Sequence, residues 1–122
     1  VLITRAHHHI KMSPVCGEII EILRSRDYHK LDIAMVINSK PILAHFHQNF
    51  EEIYLVLDGS ITLGLYDPNT DKFSEHILLA HELMVIAPGI HHKVMSASEQ
   101  NRILVICLPG FDPNDEHLSD KF

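Results

Sequence analysis

His45 and His47 stand two residues apart, Glu52 follows after four more, and an apolar run then ends at Asp58-Gly59. Side chains two apart on an extended strand share a face, so the two imidazoles aim into one space. Glu52 opens the next extended run and can return a carboxylate to that space from a neighbouring strand. A further candidate comes from well downstream. Ala87-Pro88-Gly89-Ile90-His91-His92 reads as a strand end, a Pro-Gly turn and a new strand that opens on histidine. Alternation lets only one of His91 and His92 face inward. Two or three imidazoles and a carboxylate converging from separate strands are the ingredients of a divalent-metal site with open positions.

Three neutral imidazoles and one carboxylate leave a divalent ion with one net positive charge. In an octahedral ion, four protein donors leave two positions for water, substrate or dioxygen. The donor types suit Fe, Mn, Zn or Ni and do not choose among them. Such a centre can polarise a carbonyl, deprotonate bound water or, with Fe(II), activate oxygen. Tyr54 shares a strand face with Glu52 and is a candidate catalytic hydroxyl, able to donate a hydrogen bond or a proton; packing inside the core is its other reading.

The chain holds 11 histidines, so a His-x-His pair by itself is weak evidence and each remaining histidine needs its own reading. His29, His76, His81 and His117 sit in polar or turn-like contexts that suit a surface. The run His7-His8-His9 lies near the terminus and reads as exposed. Cys16 and Cys107 read as small buried side chains, and the apolar run Ile103–Ile106 before Cys107 suits a central strand more than a nucleophile.

These groups can converge only if extended elements hold them in place. Short extended runs cover Ile19–Arg24, Leu31–Ile37, Ile42–His47, Glu52–Leu57, Ile61–Tyr66, Phe73–Leu79, Leu83–Ile86, His92–Met95 and Arg102–Leu108. Turn chemistry separates them at Asn38–Pro41 and Asp67–Asp71, with Asp58-Gly59 as a hairpin signal. No helical period of useful length appears. Strands at this spacing predict an all-β sandwich or barrel. One face of the run from Glu52 would line a mixed cavity, and the other is apolar enough to require a second sheet or a partner subunit.

These segments resemble the two motifs of the cupin family. His45, His47, Glu52 and Gly59 meet the first, His-x-His, three or four residues, Glu, six residues, Gly. Gly89 and His92 meet the second, Pro-x-Gly-x-x-His, although Ala87 stands where its proline is expected and Pro88 comes one place later. The Asn that often follows the last histidine is also missing. The resemblance covers roughly residues 18–108. It implies a double-stranded β-helix, or jelly-roll barrel, holding one divalent metal ion in its mouth through His45, His47, Glu52 and His92. It also implies a homodimer and a range of activities: oxygenase, isomerase or decarboxylase chemistry on a small polar or carboxylate-bearing molecule. Non-catalytic binding of a sugar or small acid is the alternative.

Composition bounds the rest. The 122 residues suit one domain, expected as an N-terminal extension over 1–17, a barrel over 18–110 and an acidic, solvated tail over 111–122. A hydrophobic content of 46% with 21% charged residues is that of an ordinary globular chain, not a disordered one. No apolar run approaches the roughly 20 residues that span a bilayer, and a net charge of −6 argues against a nucleic-acid surface. Two cysteines are too few for a disulfide scaffold, so a cytoplasmic location is expected. Val1 is not a methionine, which leads us to expect a longer protein around this segment.

Overall fold

Eleven short strands follow one another among the residues that the computed structural model describes, which are 1–4, 10–41 and 43–122. They are β1 (Ile10–Ser13), β2 (Gly17–Leu23), β3 (Asp32–Ile37), β4 (His45–Phe46), β5 (Glu51–Asp58) and β6 (Ser60–Asp67). Then come β7 (Lys72–Leu79), β8 (Leu83–Ile86), β9 (His91–Ala97), β10 (Arg102–Leu108) and, after a 3-10 turn at Pro113–Asp115, β11 (His117–Leu118). Every pairing is antiparallel, in a six-stranded sheet of order β1-β2-β3-β10-β5-β8 and a five-stranded sheet of order β11-β4-β9-β6-β7. The architecture is all-β, a double-sheet jelly roll. Among the described residues no helix is long and apolar enough to cross a membrane.

Period-two patterning decides which faces meet. On β5 the buried residues are Glu52, Tyr54 and Val56, alternating with half-buried Ile53, Leu55 and Leu57. On β6 Ile61 and Leu63 turn inward, and on β10 Ile103, Val105 and Cys107 do so. Side chains of one sheet interdigitate with those of the other, and Val56, Ile61, Leu63 and Ile103 are at most 1% exposed between them. Each buried aliphatic side chain of this kind is worth about 1.5–3 kcal/mol over leaving it in water. Glu52 shares the inward face of β5 with Tyr54 and Val56, so the packing that buries the apolar pair also carries a carboxylate inside.

Several expectations are corrected. Asp58-Gly59 is not a hairpin: β5 lies in the six-stranded sheet and β6 in the five-stranded one, so the chain changes sheets at this corner. Gly59 has φ +74°, and a Cβ there would run into Ser98 Oγ and the Gln100 carbonyl. Glycine is therefore required by both conformation and space. The strand expected over Ile42–His47 is only His45–Phe46, because the chain bends at His47 into a loop fixed by side-chain bonds, not by ladder bonds; Ile42 itself lies outside the described residues, as does the run His7–His9. β1 pairs with β2 and β11 with β4, so the segments read as an extension and a tail both add a strand to a sheet. The acidic tail is not simply solvated, since Asp115 is only 3% exposed.

Candidate metal centre

Cross-strand pairing assembles the site. His45 on β4 lies opposite His92 on β9, and directly opposed residues of an antiparallel pair point the same way with Cβ atoms about 5 Å apart. Both therefore leave the five-stranded sheet toward the other sheet, from which Glu52 on β5 points back. His47 completes the set from the loop after β4, its ring stacked on Phe50 with centroids 4.2 Å apart. The Pro88-Gly89 turn is tied to the same loop, because the Gly89 amide donates to the His47 carbonyl at 2.6 Å. One donor atom from each of His45, His47, Glu52 and His92 lies within 4.8 Å of the others, and all four residues are buried. Glu52 Oε1 stands 2.5 Å from His47 Nε2, 3.2 Å from His92 Nε2 and 4.0 Å from His45 Nε2.

The other ring nitrogens show which tautomer each histidine holds. Nδ1 of His45 faces the Leu43 carbonyl at 3.4 Å, Nδ1 of His92 the Ile90 carbonyl at 3.0 Å, and Nδ1 of His47 the Asp115 carbonyl at 2.8 Å. A carbonyl only accepts, so each Nδ1 carries the proton and each Nε2 turns a lone pair to Glu52. Lone pairs and a carboxylate gathered this closely repel one another unless a cation stands between them. Consistently, Glu52 Oε1 and His92 Nε2 are buried without a hydrogen-bond partner. Such orphans are costly and need an explanation. Histidines that donate through Nδ1 to a carbonyl are the usual ligand arrangement around a metal, so these residues fit a metal ion.

Electrostatics agree. Burial, with the nearby His92, pushes His45 down to about 3 and keeps it neutral. Burial would raise the Glu52 carboxyl, yet His47 and His92 outweigh it and hold the group well below the usual carboxylate range. For His47 burial acts downward, but Glu52 and the Asp115 carbonyl prevail and raise it. In the absence of metal, a proton on His47 is the cation that this carboxylate favours.

No protein-family model matches the sequence, and no curated protein aligns with it significantly. Solved structures do superpose. A protein from Planctomyces limnophilus does so with TM-score 0.75 at 22% identity, over 96% of this chain and 95% of that one. Oxalate decarboxylase from Bacillus subtilis gives 0.77 at 17% identity, over 94% of this chain and 31% of its own. CapF, a capsular polysaccharide assembling protein from Staphylococcus aureus, gives 0.69 at 20% identity, over 89% and 33%. The domain has the cupin fold. It spans about a third of the length of the decarboxylase and CapF chains.

In this cupin barrel a cavity of about 270 Å³ opens from His45, His47 and Glu52 across the six-stranded sheet. Tyr54 lies elsewhere: it is 4% exposed in the core, its ring edge-on to His92 at 5.9 Å, and burial followed by the Glu52 charge holds its hydroxyl well above the usual tyrosine range. Cys16 and Cys107 line the cavity as thiols, with burial first among the causes that push Cys16 up to about 12 and Cys107 upward too. His29, His76 and His81 are exposed, His91 is stacked on Phe46 outside the barrel, and His117 bonds to Asp115 at 3.0 Å.

Two residues escaped sequence reading. Asp115 accepts from the Gln48 amide at 3.0 Å and the Asn49 amide at 2.8 Å, which fixes the loop that carries His47. Glu116 lines the cavity half-buried, and burial raises its carboxyl. Asp112-Pro113, a capping residue followed by proline, is the local signal of a turned and ordered segment.

Proposed function

We propose that this cupin domain is a metal-dependent enzyme of oxygenase, isomerase or decarboxylase type, acting on a small polar or carboxylate-bearing molecule. The observation that carries it is the pair of orphaned donor atoms, Glu52 Oε1 and His92 Nε2, in a donor set whose His45, His47 and Glu52 line a cavity large enough for a ligand. His45, His47, Glu52 and His92 would hold one divalent ion of Fe, Mn, Zn or Ni, and the ion would supply Lewis-acid polarisation or, as Fe(II), oxygen activation. The chain's own groups supply the rest. Glu52 carries the negative charge of the donor set, and Phe111 on the cavity wall helps to exclude water. Glu116, with its carboxyl raised by burial, is suited to hold a proton beside a bound ligand and pass it on. Tyr54 enters through His92, whose ring it buttresses. The name of the decarboxylase neighbour supports a carboxylate as the head of the substrate.

The withdrawal of Tyr54 into the core favours a second reading, in which the domain binds a sugar or small acid without turning it over. Elemental analysis of protein purified without a nickel column, followed by a substrate screen under air and under nitrogen, separates the two. We expect about one ion per chain and its loss in His47→Ala; a metal-free protein that stays so in excess divalent metal would refute both. The exposed apolar side chains Phe73, Ile77, Leu79, Leu83 and Val85 on β7 and β8 support pairing with a second copy. The two free cysteines support a cytoplasmic location.

A further inference from the structure

The cavity floor is apolar between two polar ends. Cross-strand pairing sets Cys107 on β10 opposite Glu52 on one side and Asp32 on the other. The next row sets Val105 opposite Tyr54 and Ala34, with Ala34 in turn opposite Glu21 on β2. Neighbouring strands stand about 4.8 Å apart and residues rise about 3.3 Å along a strand, so Glu52 and Glu21, three strands and two residues apart, are separated by roughly 16 Å. The cavity follows this path and is floored by Cys107, Val105, Ala34 and Val36, with Ile19 and Phe111 beside them. Asp32 accepts from the Phe111 amide through Oδ2 at 2.9 Å, and its Oδ1 is buried without a hydrogen-bond partner, a polar group on the wall between the two ends. At the far end Lys11 Nζ and Arg24 Nη2 share Glu21 Oε1, at 2.9 and 3.2 Å, so this cluster carries one net positive charge.

Resting on the metal-centre reading above, we infer that the ligand is an amphipathic acid. Its head is a chelating 2-hydroxy or 2-oxo carboxylate on the ion, and its body is a phenyl ring or a branched chain of about four to six carbons over Val105 and Ala34. A cavity of about 270 Å³ is about nine water volumes at roughly 30 Å³ each, enough for such a head and body together. A small diacid that is polar throughout would leave the floor covered by water alone.

Matched chelators test this. The full chain, loaded with Co(II), is titrated with lactate and with mandelate, which share a head and differ by methyl against phenyl, and the Co(II) absorption spectrum is read. Each buried methylene is worth about a fourfold gain in affinity, so mandelate is expected to bind at least tenfold more tightly. Ala34→Leu fills the floor without touching a metal donor; it should keep its Co(II) and shrink the preference to about twofold or less. Lactate binding as tightly as mandelate to the Co(II)-loaded parent would overturn the inference and leave the metal centre standing. A parent protein that takes up no Co(II) would overturn both, and an undiminished preference in Co(II)-loaded Ala34→Leu would remove the assigned floor.

Discussion

Replacing Asp115 by alanine removes a carboxylate that holds the loop bearing His47. Its two oxygens accept from the amides of Gln48 and Asn49, at 3.0 and 2.8 Å, and its own carbonyl accepts the Nδ1 proton of His47 at 2.8 Å. Hydrogen bonds to a charged acceptor contribute about 1.5–3 kcal/mol each. Gln48 and Asn49 are exposed residues whose freed amides can turn to water, so we expect a total loss of about 2–3 kcal/mol from the two. The carbonyl survives the substitution but no longer has a fixed place beneath the imidazole. Loss of such outer-shell support typically weakens metal binding about 10–100-fold, and Asp115→Asn, which keeps an acceptor without its charge, should fall between the parent and Asp115→Ala. Chemical denaturation of the metal-free protein measures the first effect, and competition against a chromophoric chelator measures the second. The amides of Gln48 and Asn49, outweighing burial, lower the Asp115 carboxyl. Its contribution is therefore present above the ordinary aspartate range and lost as pH falls through the depressed folded value, so the stability gap between parent and variant should narrow in acid. An Asp115→Ala protein that binds metal within twofold of the parent would refute the reasoning and leave the Phe50 stack as the support of His47.

Glu52→Gln should weaken metal binding by more than the roughly 10–100-fold that outer-shell losses cost, whereas Glu51→Gln should be nearly silent, because the two side chains leave β5 on opposite faces. Isothermal titration of both variants decides it, and the reverse order would mean that the strand register is wrong. Metal affinity should fall with pH from above about 6.5, since the ion must displace the proton that Glu52 favours on His47, while His45, held near 3 by burial, stays neutral throughout. Dissociation constants that are flat from pH 8 to pH 6 would contradict this. Gly59→Ala should cost at least about 1–2 kcal/mol from the left-handed backbone alone, read as a fall of several degrees in Tm, and an unchanged Tm would show that the corner can rebuild.

The strands were legible because most of them bury one face, and alternation then writes itself into residues such as Glu52, Tyr54 and Val56. The two sheets were less so. Asp58-Gly59 looks the same whether the next strand returns beside the last or crosses to the other sheet, because the glycine answers only the local backbone; the crowding by Ser98 and Gln100 that makes it indispensable comes from residues some forty positions away. β4 was overestimated for a related reason. Its extended composition runs through His47, but the bonds that bend the loop come from Asp115, whose acidic, proline-bearing surroundings read as a solvated end.

The same division runs through the metal centre itself. His45 and His92 each direct Nδ1 to the carbonyl two residues back, Leu43 and Ile90, so each strand orients its own imidazole. His47 depends on a carbonyl 68 residues away. Two donors are thus set by local backbone and register, and one by the docking of a segment that could peel away without unpairing the central strands. The 3-10 turn at Pro113–Asp115 and the β11–β4 pairing are what keep that segment in place. His47 is also the ligand whose proton competes with the metal, through Glu52 at 2.5 Å. Loosening residues 112–118 would therefore act first on His47, through the Asp115 carbonyl, and also take from His45 its cross-strand partner Leu118, leaving His92 as the imidazole that this segment does not touch.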